Sequence, residues 1–383
     1  MVAAVRRGQA MRAVARAFHV SLALVQYWVR RAGHRRLDRV DWADRSRRPH
    51  RTRRTARAVE DRVLAVRRRL KEQSALGEYG APAIGRALAA GRTAPVPSVR
   101  TIGRILERRG ALDRHARVRR PSPPPGWYLP PVARAAAELD SFDVVEGLAL
   151  ERGRRLEVLT GVSLHGGLVA AWPMAWVSAR AVVPALVRHW GDVGLPAYAQ
   201  FDNDTIFQGP HQHRDAISRV MRLCLALAVV PVFAPPRETG FQAAIEGFNA
   251  HWQAKVWERF HHPTLRAVQH RSAAYVRAHR ERAAARIDAA PARRALSPQW
   301  EFDPQRHPHG TIVFLRRTTA AGTIALLGRT FPVDRHWPHR LVRAEVDLAA
   351  DEIRVHALRR REPTDQPLLC RLSYVLPTRR FKA

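Results

Sequence analysis

The sequence predicts a multidomain chain with all-α units at the N-terminus, a central α/β domain and a small β-barrel near the C-terminus. Apolar residues recur at helical spacing over roughly the first 110 residues. From about residue 132, short apolar runs alternate with helical stretches, and from about residue 308 five short strands follow one another. A chain of 383 residues is long enough for about two to four domains.

The chain carries a large positive charge. Its 66 Lys and Arg residues against 33 Asp and Glu give a formal net charge of +33 and a pI near 11.7. Residues 1–130 hold 31 of the basic residues and 9 of the acidic ones, a net charge of +22. This balance predicts a polyanionic partner. The basic residues are Arg at all but three positions, which suits bidentate contacts to phosphate and guanine, although a GC-rich genome explains the bias equally well.

Composition argues against several classes of protein. The two cysteines, Cys224 and Cys370, are too few for a disulfide framework, and no paired Cys motif for zinc is present. No apolar stretch approaches the ~20 residues that span a bilayer, so we expect no membrane partner. The first twelve residues lack a secretory apolar region. We therefore expect a reducing, cytoplasmic location.

Residues 1–34 predict a helix-turn-helix. A helix over residues 10–18 is followed by a turn, and Ser21 is a good N-cap for a second helix over residues 22–31. That helix has a face that could enter a major groove. Its expected DNA-contacting residues are Ser21, Gln26, Tyr27 and Arg30. A helical hairpin used for protein contacts is the alternative.

Residues 35–55 are rich in arginine and predict an extended arm that follows DNA phosphates. Its expected contacts are Arg45, Arg47 and Arg48. A solvated linker explains the same composition.

Residues 56–112 predict a second helical DNA-binding unit. A long amphipathic helix runs to about residue 73, and Ser98 can cap a helix over residues 99–109. Arg100 and Arg104 lie on the side of that helix opposite its apolar residues, so we expect them to contact DNA. The Pro- and Arg-rich residues 113–131 then form a linker.

Residues 132–262 contain three strands, a helix, a strand, a helix, a strand and a helix, which is the order of an RNase H-like fold with a mixed five-stranded sheet. Asp140 lies on the first strand, Asp202 follows the fourth, and Glu246 lies on the last helix. These elements converge at one edge of such a sheet, where open α/β sheets place their sites.

Three converging carboxylates repel one another unless a divalent cation neutralises them. Mg²⁺, or Mn²⁺ in its place, suits oxygen ligands and phosphate substrates. Two such ions can activate an attacking hydroxyl and stabilise the leaving oxygen of an in-line displacement. Asp140, Asp202 and Glu246 are therefore the expected catalytic and metal-binding residues for phosphodiester cleavage or strand transfer.

The rest of the chain predicts a basic helical connector over residues 263–305, a small β-barrel over residues 306–362 and a tail over residues 363–383. The arginines of the barrel, which could line a DNA surface or simply face solvent, are Arg316, Arg317, Arg329 and Arg343.

Two motifs around the acids carry a resemblance to a known family. The first is Phe201-Asp202-Asn203-Asp204-Thr205-Ile206-Phe207, which matches an Asp-Asn-Gly-x-x-Phe element. The second is the loop Pro235-Pro236-Arg237-Glu238-Thr239-Gly240 and the following helix with Glu246. With the helical units before them, these motifs resemble DDE transposases and retroviral-type integrases encoded by bacterial insertion sequences, and the likeness covers nearly the whole chain.

The resemblance implies an enzyme, a DNA transposase or integrase that cleaves element ends and joins them to target DNA with Mg²⁺ or Mn²⁺ at an Asp-Asp-Glu triad. It also implies double-stranded DNA as partner, a homo-oligomer on DNA and a bacterial, nucleoid-associated location. A helper ATPase is possible. This chain has no Gly-rich phosphate loop and would not hydrolyse ATP itself. Arg237, beside the catalytic helix, either positions DNA or pairs with Glu238.

The sequence departs from the family pattern at three points. Asp204 replaces the usual Gly, and Asp202 and Glu246 are 44 positions apart, which is longer than usual and fits an insertion at residues 208–215. The strand of the first acid also lacks the tryptophan that usually precedes it, so Asp143 is an alternative to Asp140. The two cannot both face the site from a regular strand, and the spacing from Asp140 to Gly161 favours Asp140.

Two other functions remain compatible with these patterns. One is a catalytically inert, domesticated transposase-like DNA-binding protein or regulator, which loss of an acid would have favoured. The other is an RNase H-like nuclease acting on RNA–DNA hybrids. The helix-turn-helix pattern argues against it, since that motif reads B-form DNA.

Overall fold

The computed structural model describes residues 1–43, 55–91, 95–112, 125–210, 213–238, 240–360 and 362–378. The chain divides into two compact units, Met1–Arg57 and Ala58–Ala383. Arg45, Arg47 and Arg48 of the predicted arm lie outside the described residues. No helix in the described ranges has the length and apolar character needed to cross a membrane.

The first unit contains three helices and a short 3₁₀ turn. They are α1 (Val2–Arg6), α2 (Met11–Ala17), α3 (Leu22–Ala32) and the turn Leu37–Arg39. The predicted N-cap is present, since Ser21 Oγ accepts a hydrogen bond from Leu24 N at 3.3 Å. Val14 and Val25 are fully buried between the helices. α2 and α3 lie where the sequence predicts helices, α1 was not predicted, and the use of this unit as a helix-turn-helix stays a prediction.

The second unit begins with three helices that have an apolar core of their own. They are α4 (Arg57–Gln73), α5 (Ala81–Ala90) and α6 (Val99–Arg108). Ser98 caps α6 by accepting from Thr101 N at 3.2 Å. Ile102, Ile105 and Leu106 of α6 are buried against α4 and α5. This core leaves the opposite face of α6 in solvent.

A nine-stranded mixed sheet organises the rest of the second unit, in the order β11-β10-β9-β6-β5-β4-β1-β2-β3. The strands are β1 (Leu139–Ala149), β2 (Arg155–Ser163), β3 (Val169–Met174), β4 (Tyr198–Phe201), β5 (Val230–Phe233), β6 (Thr311–Arg317), β7 (Thr323–Leu326), β8 (Arg329–Pro332), β9 (Leu341–Asp347), β10 (Glu352–Ala357) and β11 (Leu368–Ser373). β1, β2 and β3 are antiparallel neighbours, whereas β4 and β5 run parallel to β1.

Helices cover both faces of the sheet. They are α7 (Pro130–Ala133), α8 (Ala179–Val193), α9 (Thr205–Gln208), α10 (Arg219–Ala226), α11 (Ala243–Trp252), a π-helical turn (Gln253–Trp257) and α12 (Leu265–Asp288). α8 and α10 pack on one face and α11 and α12 on the other. This set of helices and mixed sheet is compatible with an RNase H-like α/β domain. The order of strands and helices from β1 to α11 agrees with the prediction, but the sheet has nine strands where five were predicted.

The separate C-terminal barrel is not confirmed. β6 instead pairs in parallel with β5 through Val232↔Val313 and Phe233↔Phe314, and β9, β10 and β11 continue the same sheet. The physical reason is burial on both faces of β6: Ile312 and Phe314 pack into one core cluster, Val313 and Leu315 into another. β7 and β8 form a separate hairpin, and β11 lies in the predicted tail.

Candidate active site

The two acids of β1 face opposite sides of the sheet. Asp140 lies with Phe142 on the side of α8, where Trp190 Nε1 donates to Asp140 Oδ2 at 3.1 Å. Asp143 lies on the side of α11, where Asn249 Nδ2 donates to Asp143 Oδ2 at 2.8 Å. Side-chain alternation along a strand requires this separation.

Asp140 is held in a buried ion pair. Arg293, which follows α12, contacts both of its carboxylate oxygens, and the Asp140 side chain is 3% exposed. Arg293 Nη1 also donates to Gly194 O at 3.0 Å. The structure therefore does not bring Asp140 to the other two predicted acids, because its charge is committed on the opposite face of the sheet.

Asp202 immediately follows β4. The parallel register pairs Ser141 with Gln200, so two residues further on Asp143 and Asp202 stand beside each other. Asp204 N donates to Asp202 Oδ1 at 3.0 Å and so helps to orient that carboxylate. Asp204, the residue that replaces the usual Gly, itself caps α9 by accepting from Ile206 N at 2.7 Å.

Glu246 reaches the site from α11, which packs on β1 and β2 through Ile245, Phe248 and Trp252. Glu246 and Asn249 are three residues apart and share one helix face. Glu246 is exposed, and its carboxylate has no hydrogen-bond or ion-pair partner within the described part of the chain. Its carboxylate is therefore available for a ligand.

Asp143 is electrostatically coupled to both other acids. Burial, together with the negative charges of Asp202 and Glu246, raises the pKa of Asp143 to about 6, against the opposing hydrogen bonds from Val144 N and Asn249. Burial, with the charges of Asp204 and Glu146, also raises the pKa of Asp202, against the hydrogen bond from Asp204 N. The structure thus places Asp202 and Glu246 within electrostatic range of Asp143 and leaves Asp140 on the other face of the sheet.

Glu146 is a nearby acid that sequence reasoning missed. Glu146 is three residues after Asp143, so in a regular strand the two side chains would face opposite sides of the sheet. The β1–β2 register shifts between Val145 and Leu148, and such a bulge re-aims side chains. The only sequence signal is Gly147, which has a φ of +76° within the bulge.

The donors at this edge fit a hard divalent cation in their chemistry. All of them are carboxylate oxygens; burial is the main cause of the raised pKa of Asp143, and the charges of Asp202 and Glu246 add a repulsion that a cation would offset. As the side chains are placed, no three His, Cys, Asp or Glu residues in the described ranges lie close enough together to hold a metal ion. Asn249 Oδ1 is also buried beside Asp143 without a described partner, so the site has a free acceptor.

The predicted DNA-contacting residues are exposed within their own units. This holds for Ser21, Gln26, Tyr27, Arg30, Arg100, Arg104 and Arg237. Arg237 has a φ of +59° in the loop before α11, a left-handed conformation that side chains rarely adopt. Its neighbour Glu238 pairs with Arg317 instead.

Comparison with protein-family models and with curated proteins gives no match for this chain. Among solved structures, it is similar to the catalytic core domain of BIV integrase, with 16% identity and a TM-score of 0.27, covering 37% of this chain and 81% of that one. It is similar to the HTLV-2 integrase catalytic core domain in complex with magnesium, with 12% identity and a TM-score of 0.25, covering 32% and 70%.

A further similarity is to a chain of the simian T-cell lymphotropic virus intasome in complex with PP2A regulatory subunit B56 gamma. The identity is 12% and the TM-score 0.31, covering 70% of this chain and 91% of that one. These neighbours come from retroviral integrases. With TM-scores this low, the similarities carry no argument about the activity of this chain.

Proposed function

We propose that this chain is a DDE-type DNA transposase or integrase that cleaves phosphodiester bonds at element ends and joins them to target DNA. The observation that supports the proposal is the register that sets Asp143 beside Asp202, with the Asn249–Asp143 hydrogen bond that brings α11, the helix of Glu246, to the same side of the sheet. The proposed triad is Asp143, Asp202 and Glu246. Asp140 is replaced in the first position because it is paired with Arg293 on the other face.

Each acid is oriented by a different element. Asn249 and Val144 N hold the Asp143 carboxylate, Asp204 N holds that of Asp202, and α11 carries Glu246. A pair of Mg²⁺ or Mn²⁺ ions would supply activation of the attacking hydroxyl and stabilisation of the leaving oxygen. The triad would hold these ions where the scissile phosphate lies across the sheet edge.

The proposed partner is double-stranded DNA, supported by the net charge of +33. The exposed faces of α3 and α6 would read element ends, with Ser21, Gln26, Tyr27, Arg30, Arg100 and Arg104 as contacts. Joining two ends to a target would require a homo-oligomer on DNA. A helper ATPase stays part of the hypothesis because no part of this chain is proposed to hydrolyse ATP.

The test is strand transfer of labelled element-end DNA in Mg²⁺ or Mn²⁺, comparing the intact chain with Asp143→Asn, Asp140→Asn and Glu246→Gln. We expect D143N and E246Q to lose activity while they still bind DNA. D140N should lose stability, yet its folded fraction should retain catalysis.

Two results would overturn parts of this proposal. Full activity of D143N would remove Asp143 from the triad. DNA binding without cleavage by the intact chain, even with a helper protein added, would favour a catalytically inert DNA-binding protein.

A further inference from the structure

A cleft of about 580 Å³ lies beside the proposed active site. Its lining includes Asn203, the residue after Asp202, together with Gln208, Arg316 and Arg317. β4, β5 and β6 run parallel, so their carboxyl ends meet at the same sheet edge as the proposed triad. The cleft therefore belongs to the edge at which we propose that DNA is cut.

Arg316 is a buried cation in this cleft. Its residue is only 7% exposed. Nε donates to Ala325 O at 3.3 Å, and Nη1 donates to Leu315 O at 2.9 Å and to Ala234 O at 3.3 Å. The guanidinium also lies 5.0 Å from the ring centroid of Phe314. All these partners are neutral, so they satisfy hydrogen bonds without balancing the charge.

No carboxylate among the described residues pairs with Arg316. Burial lowers the pKa of its guanidinium to about 10, as expected for a charge removed from water without a counter-charge. Buried charges in proteins are normally paired. Arg316 thus lines the cleft with a positive charge that no described residue balances.

Other arginines in the same region form ion pairs with carboxylates. Arg317 pairs with Glu238, Arg329 pairs with Asp215 at 2.6 Å, and Arg343 pairs with Glu345 at 2.8 Å. Arg317 lines the same cleft as Arg316 but is already neutralised. It therefore provides a control with the same change in charge.

A second polar group in the cleft lacks a partner. Gln208 is buried, and its Oε1 has no hydrogen bond in the described part of the chain. Asn203 Nδ2 and Arg316 Nη1 both donate to Ala234 O, which ties the cleft to the residue next to Asp202. The unpaired Gln208 atom is an acceptor and does not bind an anion, so Arg316 is the group that favours a negatively charged ligand in this cleft.

We propose that this cleft binds one backbone phosphate of the DNA strand, with Arg316 as its charged contact, an inference that rests on the proposed function. β6 is two strands away from β4 in the sheet, about 10 Å at a strand spacing of ~4.8 Å. One strand of duplex DNA advances about 3.4 Å per nucleotide. Neighbouring phosphates are farther apart than this axial rise, so the bound phosphate lies at most about three nucleotides from the scissile one.

The first experiment measures DNA binding without catalysis. The affinity for element-end DNA is titrated against salt for full-length protein in the Glu246→Gln background, with and without Arg316→Gln. We expect R316Q to reduce the slope of log affinity against log salt by about 0.9, the value for one phosphate contact. Arg316→Lys should restore most of the slope, and Arg317→Gln, the matched control, should change it less than R316Q does.

The second experiment locates the phosphate. Single methylphosphonates, which are uncharged, replace one phosphate at a time in the DNA. The parent protein should lose about tenfold in affinity at one position within about three nucleotides of the cleavage site, whereas R316Q should be insensitive at that position alone. Inorganic phosphate should compete weakly with this contact in the parent and not in R316Q.

The outcomes separate the two proposals. An unchanged salt slope in folded R316Q, or equal sensitivity of R316Q and the parent to every methylphosphonate, would refute the phosphate site and leave the triad standing. If the intact chain shows no strand transfer but the salt slope of its DNA affinity still depends on Arg316, the proposed reaction is refuted and the phosphate site stands. Circular dichroism of R316Q and R316K confirms that a loss of slope does not come from unfolding.

Discussion

Replacing Asp143 by Asn should stabilise the metal-free protein at neutral pH. Burial and the charges of Asp202 and Glu246 raise the pKa of Asp143 from 3.8 to about 6. Because the folded-state pKa lies above the unfolded value, the neutral acid stabilises the fold fully below about pH 4, and this contribution disappears as pH rises through about 6. At pH 7 the ionised carboxylate therefore destabilises the fold, and D143N removes that charge.

The expected magnitude follows from the pKa and the hydrogen bonds. A rise from 3.8 to about 6 corresponds to about 3 kcal/mol at 1.36 kcal/mol per pH unit. Asn keeps one of the two oxygens that accept from Val144 N at 2.9 Å and from Asn249 Nδ2 at 2.8 Å. Losing one such hydrogen bond costs about 1 kcal/mol. We expect the free energy of unfolding to rise by about 2 kcal/mol.

The assay is urea unfolding in the presence of a chelator, followed by tryptophan fluorescence at pH 7 and pH 4. D143N should unfold at higher urea than the intact chain at pH 7 and at nearly the same urea at pH 4. Added Mg²⁺ should stabilise the intact chain more than D143N, since only the former keeps all three ligands. A D143N protein that is less stable than the intact chain at pH 7, or a difference independent of pH, would refute the reasoning.

Three further perturbations test the surrounding structure. Asp140→Asn should lower the free energy of unfolding by about 3–5 kcal/mol because it leaves Arg293 buried without its partner, and the double variant with Arg293→Met should recover part of the loss in urea unfolding. Removal of residues 306–383 should abolish cooperative unfolding, measured by calorimetry, because it exposes the edge of β5 and half of the core around Phe314. Arg259→Ala should speed limited proteolysis near residues 74–80, since it frees the end of α4.

Elements fixed by local interactions could be predicted from sequence. Ser21 and Ser98 were predicted as N-caps, and each accepts the backbone N–H three residues on. The order of strands and helices from β1 to α11 was also predicted, because hydrophobic periodicity and turn residues are properties of neighbouring positions. Asp202 follows its strand and Glu246 lies on its helix as expected.

The choice between Asp140 and Asp143 could not be made from sequence. It depends on Arg293, which is 153 positions from Asp140, and on the packing of α11. In the sequence, the spacing from Asp140 to Gly161 favoured Asp140 as the first acid. In the structure, Gly161 is needed for a reason unrelated to that acid. Gly161 pairs with Phe142, and a Cβ there would lie 2.8 Å from the Phe142 ring. This glycine serves ring packing and carries no information about the first acid.

The extension of the sheet was also a long-range outcome. Regular spacing of short strands is common to barrels and to strands added at a sheet edge, so the pattern of β6 to β10 fits both. What decides is the open edge of β5, whose unpaired backbone groups accept β6. The burial of Arg316 follows from this pairing. Because the sequence assigned β6 to a separate barrel, the burial of Arg316 could not be inferred from it.

The sheet and the helices contribute differently to the proposed site. Asp143 and Arg316 lie on strands joined by backbone ladders and Asp202 directly follows one of these strands, so their spacing is fixed. Glu246 instead lies on α11, which continues through the π-helical turn Gln253–Trp257 towards Arg259.

Arg259 connects that helix to the second helical unit. Its guanidinium donates to Glu72 O at 2.7 Å and to Lys71 O at 3.3 Å, at the end of α4, and Lys255 Nζ donates to Gly77 O at 3.2 Å. If α4, α5 and α6 shift when they bind DNA, Glu246 should therefore move before Asp143 and Asp202 do. If so, R259A lowers the rate of strand transfer at saturating DNA by more than it lowers DNA affinity, and an equal loss of both would show that the contact only holds the fold together.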